Sequence, residues 1–331
     1  YTENSFFTTE GRVTNEDAMR QTIYQQLEPF IVTGMSKKVD DIMKDLRIKA
    51  QVTGLLPQTD RVHVQNGTVF LDGSFIEAKN EIVRSRFPVR FNPKVKKPER
   101  WLRFLSELFW PEDIPTLQEF IGYCLIPSNA GQKMMVIKGS GGEGKSQIGH
   151  VLSRMFGPNA KDGSVGKISE NPFARADLEH IHLMIDDDMR LEALKQTNYI
   201  KAIVTAKGKM DLDRKGKQSY QGFMYARILA FSNGDLVSLY DRSDGFFRRQ
   251  LILTTKRKPP KRIDDPNLSE KLCEEMEGIL LWALAGLLRL VKNNFQFTES
   301  GRAKLNREIV KKDANNIELF LESKGYIVRD P

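Results

Sequence analysis

One short run constrains this chain more than any other: Gly139-Ser-Gly-Gly-Glu-Gly144-Lys145-Ser146. It meets the phosphate-loop pattern G-x-x-x-x-G-K-[ST] at every fixed position. Met134-Met-Val-Ile137 ahead of it reads as a buried strand. Behind it, Ile148, Val151, Leu152, Met155 and Phe156 recur at helical spacing until Gly157-Pro158 stops the helix. Glycines let the backbone N–H groups turn inward around phosphate oxygens, and a helix N-terminus adds partial positive charge. The spacing therefore predicts a cradle made of Gly139, Gly141, Gly142, Glu143, Gly144, Lys145, Ser146 and Gln147. In it Lys145 reaches the β- and γ-phosphates, and the Ser146 hydroxyl holds Mg²⁺. A Gly-rich surface turn that happens to carry a lysine is the bland alternative, and the strand-then-helix context argues against it.

A length of 331 residues gives room for two domains, or for one large domain with an appendage. The 40% hydrophobic fraction is enough for real cores and excludes a disordered chain. A net charge of +8 points to a polyanionic partner. Cys124 and Cys273 form no disulfide framework, which fits a reducing compartment, the cytoplasm. The longest apolar run, Ile279 to Leu288, is too short to span a bilayer, so no membrane partner is expected. The chain begins at Tyr1 and reads as a piece of a longer polypeptide. His63, His150, His180 and His182 lack metal-ligand spacing, and His182 is expected to point off a strand edge. No metal other than Mg²⁺ is assigned.

Three segments follow from the patterning. Residues 1–130 read as a mainly helical accessory domain. Its helices are Asn15 to Leu27, Lys37 to Ala50, Trp101 to Trp110 and Leu117 to Leu125. A hairpin, Val62–Val64 and Val69–Leu71, turns on Asn66-Gly67. Residues 131–265 alternate short apolar strands with helices. The strands are Met134–Ile137, Ile181–Ile185, Arg227–Phe231 and Gln250–Leu253, a pattern that predicts a parallel-rich α/β sheet. Residues 266–331 are helical, strongly so and apolar in character from Leu268 to Asn293, with a polar helical tail after that.

Other acid, amide and basic residues recur at places where hydrolysis needs them. The strand His182-Leu-Met-Ile185 ends in Asp186-Asp187-Asp188, beside the phosphate loop. Carboxylates there hold Mg²⁺ and polarise the attacking water. Asp186 and Asp187 are favoured for this, with Asp188 as the cap of a helix beginning near Leu191. Asn233 ends another apolar strand, where it either orients water or the γ-phosphate, or simply forms a turn with Gly234. Arg248 and Arg249 precede the last strand, and an arginine can neutralise charge on the transferred phosphoryl group. A surface pair in salt bridges is the alternative. Lys207, Lys209, Arg214, Lys215 and Lys217 surround Gly216 in a hairpin-like stretch. Such a tip can track a phosphodiester backbone, with Tyr220 or Phe223 near bases, although a charge run is usually a solvated face and both aromatics fit a core better. Lys256 to Arg262 reads as a solvated loop.

This motif order resembles that of superfamily 3 helicases, in the primase-helicase branch of phages, plasmids, mobile islands and poxviruses. The likeness rests on the phosphate loop, Leu183-Met-Ile-Asp-Asp187, the basic hairpin, Phe231-Ser-Asn233 and Gly245-Phe-Phe-Arg-Arg249. Before the motor, Asn66 to Asp72, Trp101 to Leu105 and Leu117 to Tyr123 look like that branch's helical domain. The resemblance implies an AAA+-like P-loop NTPase core that binds ATP and Mg²⁺ between the subunits of a ring, commonly a hexamer. It also implies single-stranded DNA as partner, 3′ to 5′ travel, and primase and other replication proteins as associates in a bacterial host cytoplasm. Lys145, Ser146, Asp186, Asp187 and Asn233 would act from one subunit, and Arg248 or Arg249 from its neighbour. A primase polymerase domain is not part of this sequence. An ATP-driven DNA loader or remodeller, or a nucleotide-gated DNA-binding scaffold, is the competing expectation.

Overall fold

The N-terminal segment buries short apolar stripes through paired charges. A computed structural model describes residues 6–7, 13–14, 16–51, 55–77, 81–189, 197–216, 218–233, 244–313 and 324. Lys217, the helix expected near Leu191 and the end of the polar tail lie outside these. Strands β1 (Phe6–Phe7) and β2 (Val13–Thr14) pair antiparallel, and helices α1 (Glu16–Leu27) and α2 (Met35–Lys49) follow. Val39 and Met43, one turn apart on α2, pack with Phe6. Arg47 grips Glu16 with two hydrogen bonds, 3.0 and 2.7 Å long, and so ties α2 to α1.

A small antiparallel sheet follows, made of β3 (Arg61–Val64), β4 (Gly67–Phe70) and β5 (Phe75–Ile76). Val64 pairs with Gly67, so the turn consists of Gln65 and Asn66, one residue earlier than the Asn-Gly pair suggests. The Asn66 amide explains the shift. It donates to the Phe91 carbonyl at 3.0 Å and accepts from the Phe91 N–H at 2.8 Å, which anchors the turn to the next segment. Gly67 is needed inside the strand instead, because a Cβ there would lie 2.2 Å from the Ile76 carbonyl oxygen.

Helices α3 (Glu99–Leu108) and α4 (Ile114–Tyr123) lead into the central α/β segment. It comprises β6 (Met134–Gly139), α5 (Lys145–Phe156), β7 (Ala160–Asp162), α6 (Val165–Glu170), α7 (Pro172–Ala176) and β8 (Leu183–Asp186). Then come α8 (Asn198–Thr205), β9 (Gly208–Leu212), β10 (Tyr220–Met224), β11 (Arg227–Asn233), α9 (Asp244–Phe247) and β12 (Gln250–Thr254). Helices α10 (Leu268–Cys273), α11 (Met276–Lys292) and α12 (Gly301–Asp313) close the chain. The helix expected from Leu268 to Asn293 is thus two helices. The break frees Glu275, whose carboxylate accepts from the Arg100 and Trp101 N–H groups at 3.1 and 2.9 Å and caps α3.

Five strands form one wholly parallel sheet in the order β12-β6-β11-β8-β7. Alternate residues enter opposite layers. Met135, Ile137, Leu229, Phe231, Leu183 and Ile185 pack with Ile148, Val151 and Leu152 of α5. Met134, Val136, Ile228, Ala230 and Met184 face the layer holding Ile168, Ile200 and Phe246. Burial on both faces is what a parallel sheet requires. The fold is the expected α/β P-loop core, preceded by a mainly helical segment with a hairpin and followed by helices. The core on the α5 side also takes in Trp101, Phe120, Leu280 and Leu287, so the three segments named from sequence share one interior. His182 belongs to that interior and does not point off an edge. It is 1% exposed, its Nδ1 lies 3.0 Å from the Cys124 carbonyl, and its ring meets Phe87 and Tyr225 edge-on. Among the described residues no helix is long and apolar enough to cross a membrane.

Candidate active site

Strand β6 ends at Gly139, and the chain must reverse around whatever lies beyond before α5 can start. Gly141, Gly142 and Gly144 make that reversal with φ of 101°, 76° and 103°, a region that side chains disfavour. Lys145 is the first residue of α5, and its side chain is buried. Its Nζ donates to Glu143 Oε2 and to Asn233 Oδ1, both at 2.9 Å.

The strand order decides which residues reach the loop. Strand β11, not the acidic strand, lies directly beside β6, with Asn233 in register with Gly139. The acidic strand β8 is one place further away, a correction to the expectation that it adjoins the phosphate loop. Asn233 is therefore delivered to Lys145 by sheet register, and a turn role alone does not account for its place.

The acidic run divides by strand alternation. Asp187 continues the face of Leu183 and Ile185, towards α5, and lines a cleft of about 570 Å³ with Gly142, Glu143, Gly144, Lys145, Ser146, Gln147 and Asn233. Asp186 continues the face of Met184. Its carboxylate accepts from the Val165 N–H at 2.7 Å and the Asp188 N–H at 3.3 Å, and it does not line the cleft. Burial pushes its pKa up against those hydrogen bonds. Of the two expected partners only Asp187 stands at the loop; Asp186 holds the start of α6, closer to the capping task expected of Asp188.

The cleft has further walls that sequence reading missed. Phe104, Glu107 and Leu108 of α3 form one side, and Arg262, Ile263, Pro266 and Leu268 another. The basic stretch ending at Arg262 is not a free solvated loop. The Arg262 guanidinium donates to the Glu143 carbonyl at 2.9 Å and the Gly142 carbonyl at 3.1 Å, and is braced by Asp264. No motif marks it, because its partners are backbone carbonyls far away in sequence. The apolar patch of Phe104, Leu108, Ile263 and Leu268 beside a phosphate loop suits a flat base, and oxygen donors suit a hard cation. Ser146 and Asp187 on one wall are such donors. Among the described residues no three His, Cys, Asp or Glu are grouped so that together they could hold a metal ion, so water and phosphate oxygens would complete a Mg²⁺ shell.

Arg248 and Arg249 precede β12, whose Gln250 is in register with Met134 at the start of β6. Their backbone confirms the position, since the Arg249 carbonyl accepts from the Met134 N–H at 2.8 Å. Five residues of β6, about 17 Å of strand, separate them from the phosphate loop of their own chain. Arg248 is exposed, whereas the Arg249 guanidinium donates to the Gly245 carbonyl.

The basic stretch is an antiparallel hairpin, β9 with β10, as expected. Lys207, Lys209, Arg214 and Lys215 are exposed. Arg214 is braced by the Tyr220 hydroxyl at 2.7 Å and Glu179 at 3.1 Å, and Lys209 lies over the Phe223 ring. Strand β10 passes straight into β11, so the hairpin is rooted at the same sheet end as Arg248 and Arg249.

The model of a family of unknown function, DUF5906, matches residues 137–249, from the end of β6 to Arg249. Solved structures of the NrS-1 C-terminal region share the fold. The apo structure of that region (305–718) gives a TM-score of 0.58 at 13% identity, covering 98% of this chain and 80% of that one. An A form apo structure gives 0.52 at 13% identity, covering 96% and 76%. At such identity the likeness concerns fold alone. A search of the curated proteins finds no match.

Proposed function

We propose that this chain is an ATP-hydrolysing motor that moves along single-stranded DNA and unwinds duplex in the manner of a superfamily 3 helicase. The observation that carries the reading is the meeting of Lys145, Asn233 and Asp187 at a glycine loop ahead of α5. Lys145 and the loop N–H groups bind the phosphates, and Asn233 fixes the lysine and the γ-phosphate end of the site. Asp187 accepts from the attacking water and, with the Ser146 hydroxyl, holds Mg²⁺. The ion supplies charge neutralisation on the phosphate oxygens when bound.

The strand distance makes Arg248 and Arg249 unable to serve their own loop, which supports an arginine supplied by the neighbouring subunit of a ring. Arg248, the exposed one of the two, is the better placed finger. Lys207, Lys209 and Lys215 would follow the DNA backbone from the hairpin, with Arg214 as its brace. Hexameric assembly, 3′ to 5′ travel and a place in phage or mobile-element replication rest on the motif resemblance.

The test is ATP hydrolysis with and without single-stranded DNA, together with fork unwinding on the same sample. Stimulated hydrolysis with strand separation is expected. Hydrolysis without unwinding would replace the helicase with an ATP-driven loader, and absence of hydrolysis in an assembled ring would overturn the motor.

A further inference from the structure

The variable positions of a phosphate loop carry no set chemistry, yet Glu143 is turned inward here. It is 3% exposed, although a loop carboxylate is better solvated outside. Its Oε1 accepts from the Ser140 N–H at 2.5 Å, and its Oε2 accepts from the Gly141 N–H at 3.0 Å and Lys145 Nζ at 2.9 Å. Burial pushes the carboxyl pKa up, but these donors outweigh it and hold the group below the usual range, so it is an anion. The pair also fills the side-chain space of Gly139. A Cβ there would lie 2.5 Å from Lys145 Nζ and 2.8 Å from Glu143 Oε2.

The same backbone N–H groups and the same ammonium are the donors the phosphate reading assigns to nucleotide oxygens. A donor aimed at Glu143 is not aimed at a phosphate, and two anions within about 4 Å repel strongly where water is excluded. We propose that Glu143 is a resident counter-anion of the phosphate cradle, so that nucleotide enters by displacing its carboxylate and the exchange sets nucleotide affinity. This rests on the nucleotide reading above. The carboxylate keeps Lys145 and the loop N–H groups ordered and paired, and it discriminates against small anions such as sulfate, which bring too little charge and no cation to displace it. A polyphosphate brings several charges and a cation, and it wins the exchange.

Calorimetric titration with Mg²⁺-ATP and with inorganic tripolyphosphate tests this on wild type, Glu143→Gln, Glu143→Ala and Lys145→Ala. The Glu143→Gln variant keeps the shape, and its Kd for both probes should fall about tenfold or more, since a like-charge contact at about 4 Å near a protein surface is worth more than one decade of affinity. Glu143→Ala should bind tighter as well, and inorganic sulfate should gain measurable affinity in both. Thermal melting verifies that the variants are folded. Unchanged or weaker binding by folded Glu143→Gln and Glu143→Ala, with binding lost in Lys145→Ala, overturns the counter-anion and leaves the nucleotide site standing. Binding that ignores Lys145→Ala overturns both.

Discussion

Lys145 Nζ and Asn233 Oδ1 meet at 2.9 Å although 88 positions of sequence separate them. The parallel register of β11 on β6 makes the contact, setting Asn233 level with Gly139. A buried ammonium needs its donors satisfied, and the amide oxygen meets that need without adding charge. Asn233→Ala should therefore lower kcat about a hundredfold, the low end of the usual worth of one preorganised polar group, while nucleotide Kd changes far less. Stopped-time hydrolysis and nucleotide titration on one preparation separate the two. Equal losses in both would make Asn233 a ground-state binding residue.

Lys145→Ala removes the centre of that network and should reduce hydrolysis by about a hundredfold or more. Its far-UV circular dichroism should match wild type, because α5 is held by Ile148, Val151 and Leu152 in the core. Wild-type turnover in this variant would dismiss the site.

The location of Arg248 and Arg249 at the start of β12 leads to a complementation experiment. Subunits carrying Lys145→Ala, mixed with subunits carrying both Arg248→Ala and Arg249→Ala, should recover part of the hydrolysis that each lacks alone. Rescue arises because some interfaces then pair an intact loop with an intact arginine. No recovery in mixed rings verified by native mass spectrometry would exclude an arginine acting in trans.

The hairpin predicts a salt signature. Lys207→Ala and Lys215→Ala should each lower the slope of log Kd against log salt for single-stranded DNA by about 0.7, one released counterion apiece. Arg214→Ala should instead loosen the hairpin, since it is held by Tyr220 and Glu179. An unchanged slope in both lysine variants would move the DNA path elsewhere.

Much of this arrangement was legible in the residues. The glycine pattern announces the phosphate loop, and apolar runs announce four of the five sheet strands, all but the short, polar edge strand β7. Alternation along Leu183-Met-Ile-Asp-Asp would also have separated Asp187 from Asp186, because Asp187 shares a face with Ile185. Arg262 and Phe104 gave no such signal. Their contribution arises from α3 and the segment after β12 folding over the loop, and strand order cannot be read from local periodicity. His182 misled for a related reason: what lies beside a strand is decided by Phe87 and Tyr225, from distant parts of the chain.

Burial of the histidines makes folding stability depend on pH. Burial pushes His63 down to about 4 and His180 to about 3, and His182 lies well below its ordinary value for the same reason. The unfolded chain titrates all three near 6.5. Above that pH both states are neutral and stability is full. Below it the unfolded state binds protons that the folded state refuses, so stability falls with falling pH until the folded values are reached. Each histidine contributes at most about 1.4 kcal/mol per pH unit. Urea unfolding should lose several kcal/mol, at most about 4, between pH 7.5 and pH 5.5, a range above most carboxylate titration. His182→Asn keeps a donor for the Cys124 carbonyl and removes one titrating group, so it should remove about a third of that loss. A folded His182→Asn protein with the full wild-type pH dependence would mean that His182 titrates alike in both states.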